Sequence, residues 1–142
     1  MIDPIFFNLP KINPDELSPA VWAYVGDAVY ELFTRYYLLT KGPAKTKTLH
    51  HEAIDRVRAS FQAEAAKFLE PELTTEELEL LKRGRNIKSG HIPANSDVIT
   101  YRYSTGFEAL IGYLYLCGRQ ERLIELLKKA IDTDLRSMNN KP

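Results

Sequence analysis

Hydrophobic positions along this 142-residue chain recur at helical spacing, and no stretch alternates as a half-buried strand would. Ser18-Pro19 is a strong opening signal, with Ser placed to cap and Pro at the first helical position; the helix it predicts runs to about Leu39 and stops before Lys41-Gly42-Pro43. That helix is apolar nearly all round. Its polar exceptions, Asp27, Glu31, Thr34 and Arg35, fall at i, i+4, i+7 and i+8, which predicts a single polar stripe on a helix at the centre of the domain. From Lys47 to Leu69, apolar residues again keep helical spacing and predict one helix, or two with a bend near Arg56, ended by Pro71. Thr74 and Glu77 have the spacing of a capping box and open a short helix that closes at Gly84. Residues 85–96, with Gly90, Pro93, Asn95 and Ser96, read as a loop. A long helix follows from Asp97 to Cys117, and after Gly118 a last one runs from Gln120 to about Arg136. Residues 1–17 read as irregular with at most one helical turn at Asn13-Pro14, and Met138–Pro142 as a frayed tail. The predicted fold is all-α: a single-domain helical bundle spanning residues 1–142, with its core in about 18–135.

Composition changes this picture little. Hydrophobic content of 44% and charged content of 27% are ordinary for a globular protein, and a formal net charge of zero gives no bulk preference for nucleic acid or membrane. Cys117 is the one cysteine and reads as a small core hydrophobe in a reducing compartment. Met1–Asn8 lacks the basic residues of a signal peptide, and no apolar run approaches the ~18 residues a bilayer span requires. The expected location is the cytoplasm, with no membrane partner.

Two carboxylates stand out against the apolar background. Asp27 lies in Trp22-Ala-Tyr-Val-Gly-Asp-Ala-Val-Tyr30, and Glu108 in Gly106-Phe-Glu-Ala-Leu-Ile-Gly-Tyr-Leu-Tyr-Leu116; neither has a Lys or Arg at i±3 or i±4. A lone buried charge needs a partner or an altered pKa. The two helices facing each other and sharing a hard cation would satisfy both acids, since Mg²⁺ prefers carboxylate oxygens and keeps several waters. Gly26, Gly106 and Gly112 would let the backbones approach closely. The competing arrangement has each acid pointing to solvent from a helix edge, which the polar stripe favours for Asp27.

Charge is also segregated. Lys82 to Arg102 holds five Lys/Arg and one acid, leaving 14 basic and 18 acidic residues elsewhere. In Lys82-Arg83-Gly84-Arg85-Asn86-Ile87-Lys88-Ser89-Gly90, the glycines give backbone amides access to an anion and the arginines offer bidentate contacts to phosphate. Tyr101-Arg102-Tyr103 adds an aromatic-basic cluster. The segment reads either as a phosphate-backbone contact through Lys82, Arg83, Arg85, Asn86, Lys88, Ser89 and Arg102, or as a solvated loop whose cations complement a helix C-terminus. Adjacent His50 and His51 point to different helix faces and do not make a zinc site. No phosphate-binding loop, dinucleotide fingerprint or nucleophile elbow occurs.

Taken together, these motifs resemble a known family. Tyr24-Val-Gly-Asp-Ala-Val-Tyr-Glu31 looks like the signature helix of the ribonuclease III catalytic domain, and Phe107–Leu116 like its second acidic helix. Leu81–Gly90 and Asp97–Thr105 are similar to the Mini-III branch, which lacks the double-stranded RNA-binding domain. The resemblance implies a homodimer that cuts both strands of double-stranded RNA by water activated on Mg²⁺, with Mn²⁺ as a substitute, leaving 5′-phosphate and 3′-hydroxyl ends. It implies maturation of large-subunit (23S) ribosomal RNA precursors, with a ribosomal protein as a candidate accessory. Asp27 and Glu108 would be the catalytic, metal-ligating residues. The broader family carries glutamates four and seven residues before its aspartate, here Ala23 and Ala20, and an aspartate three residues before the glutamate, here Thr105. Fewer carboxylates imply weaker Mg²⁺ binding with more water ligands. Two other functions compete: a non-catalytic RNA-binding or ribosome-assembly module on the same fold, and a helical adaptor using its tyrosine-rich surfaces.

Overall fold

A computed structural model describes residues 9–87 and 97–132, and among them the regular structure is entirely helical. Six α-helices follow in order: α1 Pro19–Leu39, α2 Thr46–Val57, α3 Ala59–Leu69, α4 Thr75–Arg85, α5 Val98–Leu116 and α6 Gln120–Ile131. Short 3₁₀ turns at Pro14–Glu16 and Glu70–Glu72 precede α1 and α4.

The start signals hold. Ser18 caps α1 by accepting from the Val21 amide, and Asp97 caps α5 through the Ile99 amide. At α4 the capping box is reciprocal: Glu77 N–H donates to Thr74 Oγ1 at 3.1 Å, and Thr74 N–H to Glu77 Oε1 at 2.9 Å. The bend expected near Arg56 is a full break at Arg58, whose extended backbone (φ −65°, ψ 154°) ends α2 and opens α3. No glycine or proline marks it. The buried Gln62 donates from Nε2 to the Val57 carbonyl at 2.7 Å, satisfying an acceptor that the break exposes. The expected extension of α6 to Arg136 and the frayed tail lie outside the described residues.

The centre of the bundle is α5, not α1. Ser104, Gly106, Phe107 and the run Ala109–Leu114 are buried, with α1, α3 and α4 packed around them. From α1 only Trp22, Gly26, Tyr30, Thr34 and Leu38 are buried, a narrow stripe at four-residue spacing. Its outer face keeps Val21, Tyr24, Leu32, Tyr36 and Leu39 exposed. The predicted polar stripe is accordingly split. Thr34 turns into the core and donates to the Tyr30 carbonyl at 2.8 Å, so its hydroxyl is satisfied within the helix. Glu31 and Arg35 remain outside as an ion pair at 2.8 Å.

Helices α1 and α5 run antiparallel and touch along a seam. Trp22 meets Tyr113 edge-on at 4.9 Å between ring centroids, and Tyr30 meets Phe107 at 5.1 Å. Between these pairs lie two glycines. A methyl group on Gly26 would sit 1.7 Å from the Glu108 carbonyl oxygen, and one on Gly112 would sit 1.8 Å from that of Trp22. The backbones are therefore in direct contact, which only glycine permits. A second seam joins α4 to α5: a methyl on Gly84 would sit 2.5 Å from Ala109 Cβ, and one on Gly106 would sit 2.7 Å from the Leu81 carbonyl oxygen. Gly84 is thus a buried packing position inside α4, one residue short of the helix end at Arg85.

The far end of α4 is tied to α6. Glu77, buried, receives Arg122 through Nε and Nη2, both at 2.8 Å, and this guanidinium holds the Glu77 carboxyl below the usual carboxylate range. The N-terminal turn is pinned to the seam where Trp22 Nε1 donates to the Pro14 carbonyl and Tyr113 Oη to Asp15, each at 2.7 Å.

Candidate active site

The two glycine seams decide where the chemistry sits. Gly26 precedes Asp27, and its close approach to the Glu108 backbone brings the two acids together. Asp27 is exposed on the rim, whereas Glu108 is half-buried on the seam. Burial raises the Glu108 carboxyl to about 8, helped by the negative charge of Asp27 and by a hydrogen bond shared with it. The arrangement in which each acid points separately to solvent is not the one adopted.

Both carboxylates open into a cleft of about 370 Å³ lined by Ala20, Ala23, Tyr24, Asp27, Gly84, Arg85, Ile87, Tyr101, Arg102, Thr105 and Glu108. The three positions at which a further acid was expected by resemblance, Ala20, Ala23 and Thr105, all line this cleft. Small side chains there leave room for water. The Thr105 hydroxyl is already committed, donating to the Tyr101 carbonyl at 2.9 Å. Among the described residues, no group of three or more His, Cys, Asp or Glu converges as a metal-ligand cluster, so the acids of the cleft are Asp27 and Glu108.

Basic residues enter the same cleft from α4 and α5. Arg85 ends α4 and Arg102 lies in the first turns of α5; both line the cleft. Arg85 Nη1 donates to Tyr103 Oη at 3.3 Å, and its guanidinium lies 5.4 Å from the centre of that ring. Lys67 of α3 places its ammonium over the same ring at 5.1 Å. The other basic-segment residues sit differently. Lys82 is exposed in the last turn of α4, outside the cleft lining. Arg83 stacks on the indole of Trp22 at 4.8 Å, also outside that lining. Asn86 forms the C-cap of α4, and Lys88 and Ser89 lie outside the described residues. Tyr24 and Ile87 are cleft residues that the sequence does not single out, while Tyr101 of the aromatic-basic cluster lines the cleft as well. The four- and three-residue spacing of Ala20, Tyr24 and Asp27, which puts them on one helix face, is the available signal for Tyr24. Lys67, 36 positions from Tyr103, offered none.

Comparison with known proteins agrees with this geometry. Residues 20–119 match the model of the ribonuclease III domain family. The chain is 48% identical over 118 residues to a Mini-ribonuclease 3 of Brevibacillus brevis, covering 83% of this chain and 88% of the relative. It is 47% identical over 120 residues to a Mini-ribonuclease 3 of Symbiobacterium thermophilum, covering 84% and 92%. Among solved structures, protein FN1578 of Fusobacterium nucleatum superposes with a TM-score of 0.76 at 30% identity, covering 88% of this chain and 99% of that one. The matched region holds both seams, both acids and the basic wall, and the chain therefore belongs to the Mini-ribonuclease 3 branch of the ribonuclease III family and is an endoribonuclease of double-stranded RNA.

Proposed function

We propose that the enzyme is a Mg²⁺-dependent nuclease that matures large-subunit ribosomal RNA precursors, with Asp27 and Glu108 as its catalytic and metal-ligating residues. The observation that carries this reading is the facing pair of carboxylates in a cleft that Arg85 and Arg102 also line. The donor set fits a hard divalent cation: two carboxylates, a cleft with room for waters, and one acid that keeps its proton up to about 8 when no cation compensates it. Mn²⁺ suits the same oxygen ligands. When bound, such a cation supplies an acidified water and charge compensation at a phosphate. Asp27 and Glu108 hold and orient it, while Arg85 and Arg102 position the strand across the cleft, with Lys82, Arg83, Asn86, Lys88 and Ser89 extending the phosphate contacts. The products of this reading carry 5′-phosphate and 3′-hydroxyl ends.

The exposed apolar face of α1, with Tyr24 at 81% and Tyr36 at 70% exposure, supports a homodimer. Two copies would supply one cleft per strand. Among the described residues no helix is long and apolar enough to cross a membrane. A cytoplasmic enzyme, assisted on its substrate by a ribosomal protein, completes the proposal. Labelled duplex RNA incubated with and without Mg²⁺ tests it. The expected result is shortened products with Mg²⁺ alone; retarded but intact duplex in Mg²⁺ would instead identify a non-catalytic RNA-binding module.

Two further outcomes follow from the site. Charge reversal at Arg85 and Arg102 is expected to weaken duplex binding by roughly tenfold or more and to flatten its dependence on salt by about one unit of slope per lost phosphate contact. Binding titrations at several salt concentrations read this, and an unchanged slope would remove these residues from the RNA track. The second concerns pH. The folded protein holds the Glu108 proton up to about 8, whereas the unfolded chain releases it in the ordinary carboxylate range. The folded state thus binds more protons between these limits, and its stability falls as pH rises through them. Without divalent cations, Glu108→Gln is expected to melt higher than the parent at pH 8.5 and level with it near pH 4. Equal shifts at both pH values would show that Glu108 is not held protonated.

A further inference from the structure

We propose that Tyr103 is the positioning residue of the basic wall, and that Lys67 is an RNA-phosphate contact beyond the cleft. This rests on the duplex-RNA reading of the same site. Three observations converge. Tyr103 is half-buried, packed against the core from α5, so its ring is a fixed platform. Its hydroxyl accepts from Arg85 Nη1 at 3.3 Å and its ring lies under that guanidinium, which constrains Arg85 at two points where it borders the cleft. The ring also carries the Lys67 ammonium at 5.1 Å, so the two cations lie no further apart than the sum of their distances to one centroid.

Two like charges gathered on one ring repel each other, and among the described residues neither has a carboxylate within ion-pair distance. The ring quadrupole offsets part of that repulsion. An anion between or above the cations offsets the rest, and a phosphodiester backbone supplies one at each nucleotide. Arg85 lines the cleft, and Lys67 on α3 shares the Tyr103 ring with it, so the two cations offer one strand successive phosphate contacts. The hydroxyl and the ring then have separable duties. The hydroxyl fixes the direction of the Arg85 fork, which matters for orienting the strand at the reacting phosphate. The ring gathers the two charges, which matters for affinity.

Tyr103→Phe keeps the ring and removes the acceptor; Lys67→Gln removes the outer charge. Each is measured in the full-length protein for cleavage rate at saturating enzyme. Each is also combined with Asp27→Asn for duplex affinity across a salt series, with melting temperature as a common control. For Tyr103→Phe the expected result is a cleavage rate about tenfold lower with affinity within about twofold of the parent. For Lys67→Gln it is an affinity about three- to fivefold lower and a salt slope shallower by about one. A Tyr103→Phe variant that cuts at the parental rate, or loses rate and affinity together with melting temperature, overturns the positioning role. An unchanged salt slope in Lys67→Gln overturns the contact. If the parent itself does not cut duplex RNA, the functional reading fails first; if it cuts while both variants behave as the parent, this inference alone fails.

Discussion

Asp27→Asn is expected to lower duplex-RNA cleavage by about a thousandfold or more at saturating Mg²⁺, while the melting temperature and most of the duplex affinity remain. The rate falls because a divalent cation contributes several kcal/mol at a phosphate and each ~1.4 kcal/mol is tenfold in rate. On the proposed reading the whole of that contribution would pass through two acids, since Ala20, Ala23 and Thr105 occupy the other cleft positions. The fold is spared because Asp27 is exposed on the rim, and Asn keeps its shape and an oxygen that can accept from Glu108. Binding is largely spared because, on the proposed reading, the phosphate contacts come from the basic residues and not from Asp27. Single-turnover cleavage and a binding titration of the same preparation separate these quantities. Parental cleavage in carefully purified Asp27→Asn protein would remove the acid pair from the mechanism.

Gly26→Ala is expected to destabilise the protein by about 3 kcal/mol or more, lowering its melting temperature by roughly 10 °C, and to abolish cleavage as well. The sign is diagnostic. Within a helix, glycine to alanine ordinarily stabilises by up to about 1 kcal/mol. At this position the new methyl group would lie 1.7 Å from the Glu108 carbonyl oxygen and 2.8 Å from the Gly112 amide nitrogen, so α1 and α5 must separate. Separation costs the edge-on contacts of Trp22 with Tyr113 and of Tyr30 with Phe107, and it parts Asp27 from Glu108. Chemical denaturation and cleavage assays check both halves. A variant that melts within about 2 °C of the parent would show that the seam can yield and that stability does not depend on it.

Local signals carried much of the fold into the sequence. Ser18-Pro19, the Thr74–Glu77 pair and Gly118 act within one turn of chain, and the helix boundaries they mark are found as expected. What a single chain cannot display is which side of an apolar helix is covered. Val21, Leu32 and Leu39 read like core residues of α1, yet they are exposed on its outer face, and the centre of the bundle passes to α5. Thr34 leaves the expected polar stripe because a hydroxyl can bond its own helix and enter the core without a polar neighbour. The packing role of Gly84 is not visible in the sequence, because loop glycines and packing glycines look alike until the facing helix is known.

The site was legible to a different depth. Asp27 and Glu108 betrayed each other by the absence of any local cation, and the structure resolves them as a facing pair. Arg85 and Arg102 are visible as a charge bias, but the bias does not separate these cleft residues from Arg83, which lies over the Trp22 ring outside the cleft lining. Lys67 with Tyr103 and Glu77 with Arg122 join residues far apart in sequence. Such pairs follow from tertiary packing, which no periodicity encodes.

The most direct test is to incubate the purified protein with a structured large-subunit ribosomal RNA precursor in Mg²⁺ and map the new ends on both strands. The predicted result is paired cuts within a duplex segment, with 5′-phosphate and 3′-hydroxyl ends, and no such ends when Asp27→Asn replaces the parent. Intact RNA with the parent protein, or the same ends with Asp27→Asn, would contradict the assignment of Asp27 and Glu108 as the catalytic pair.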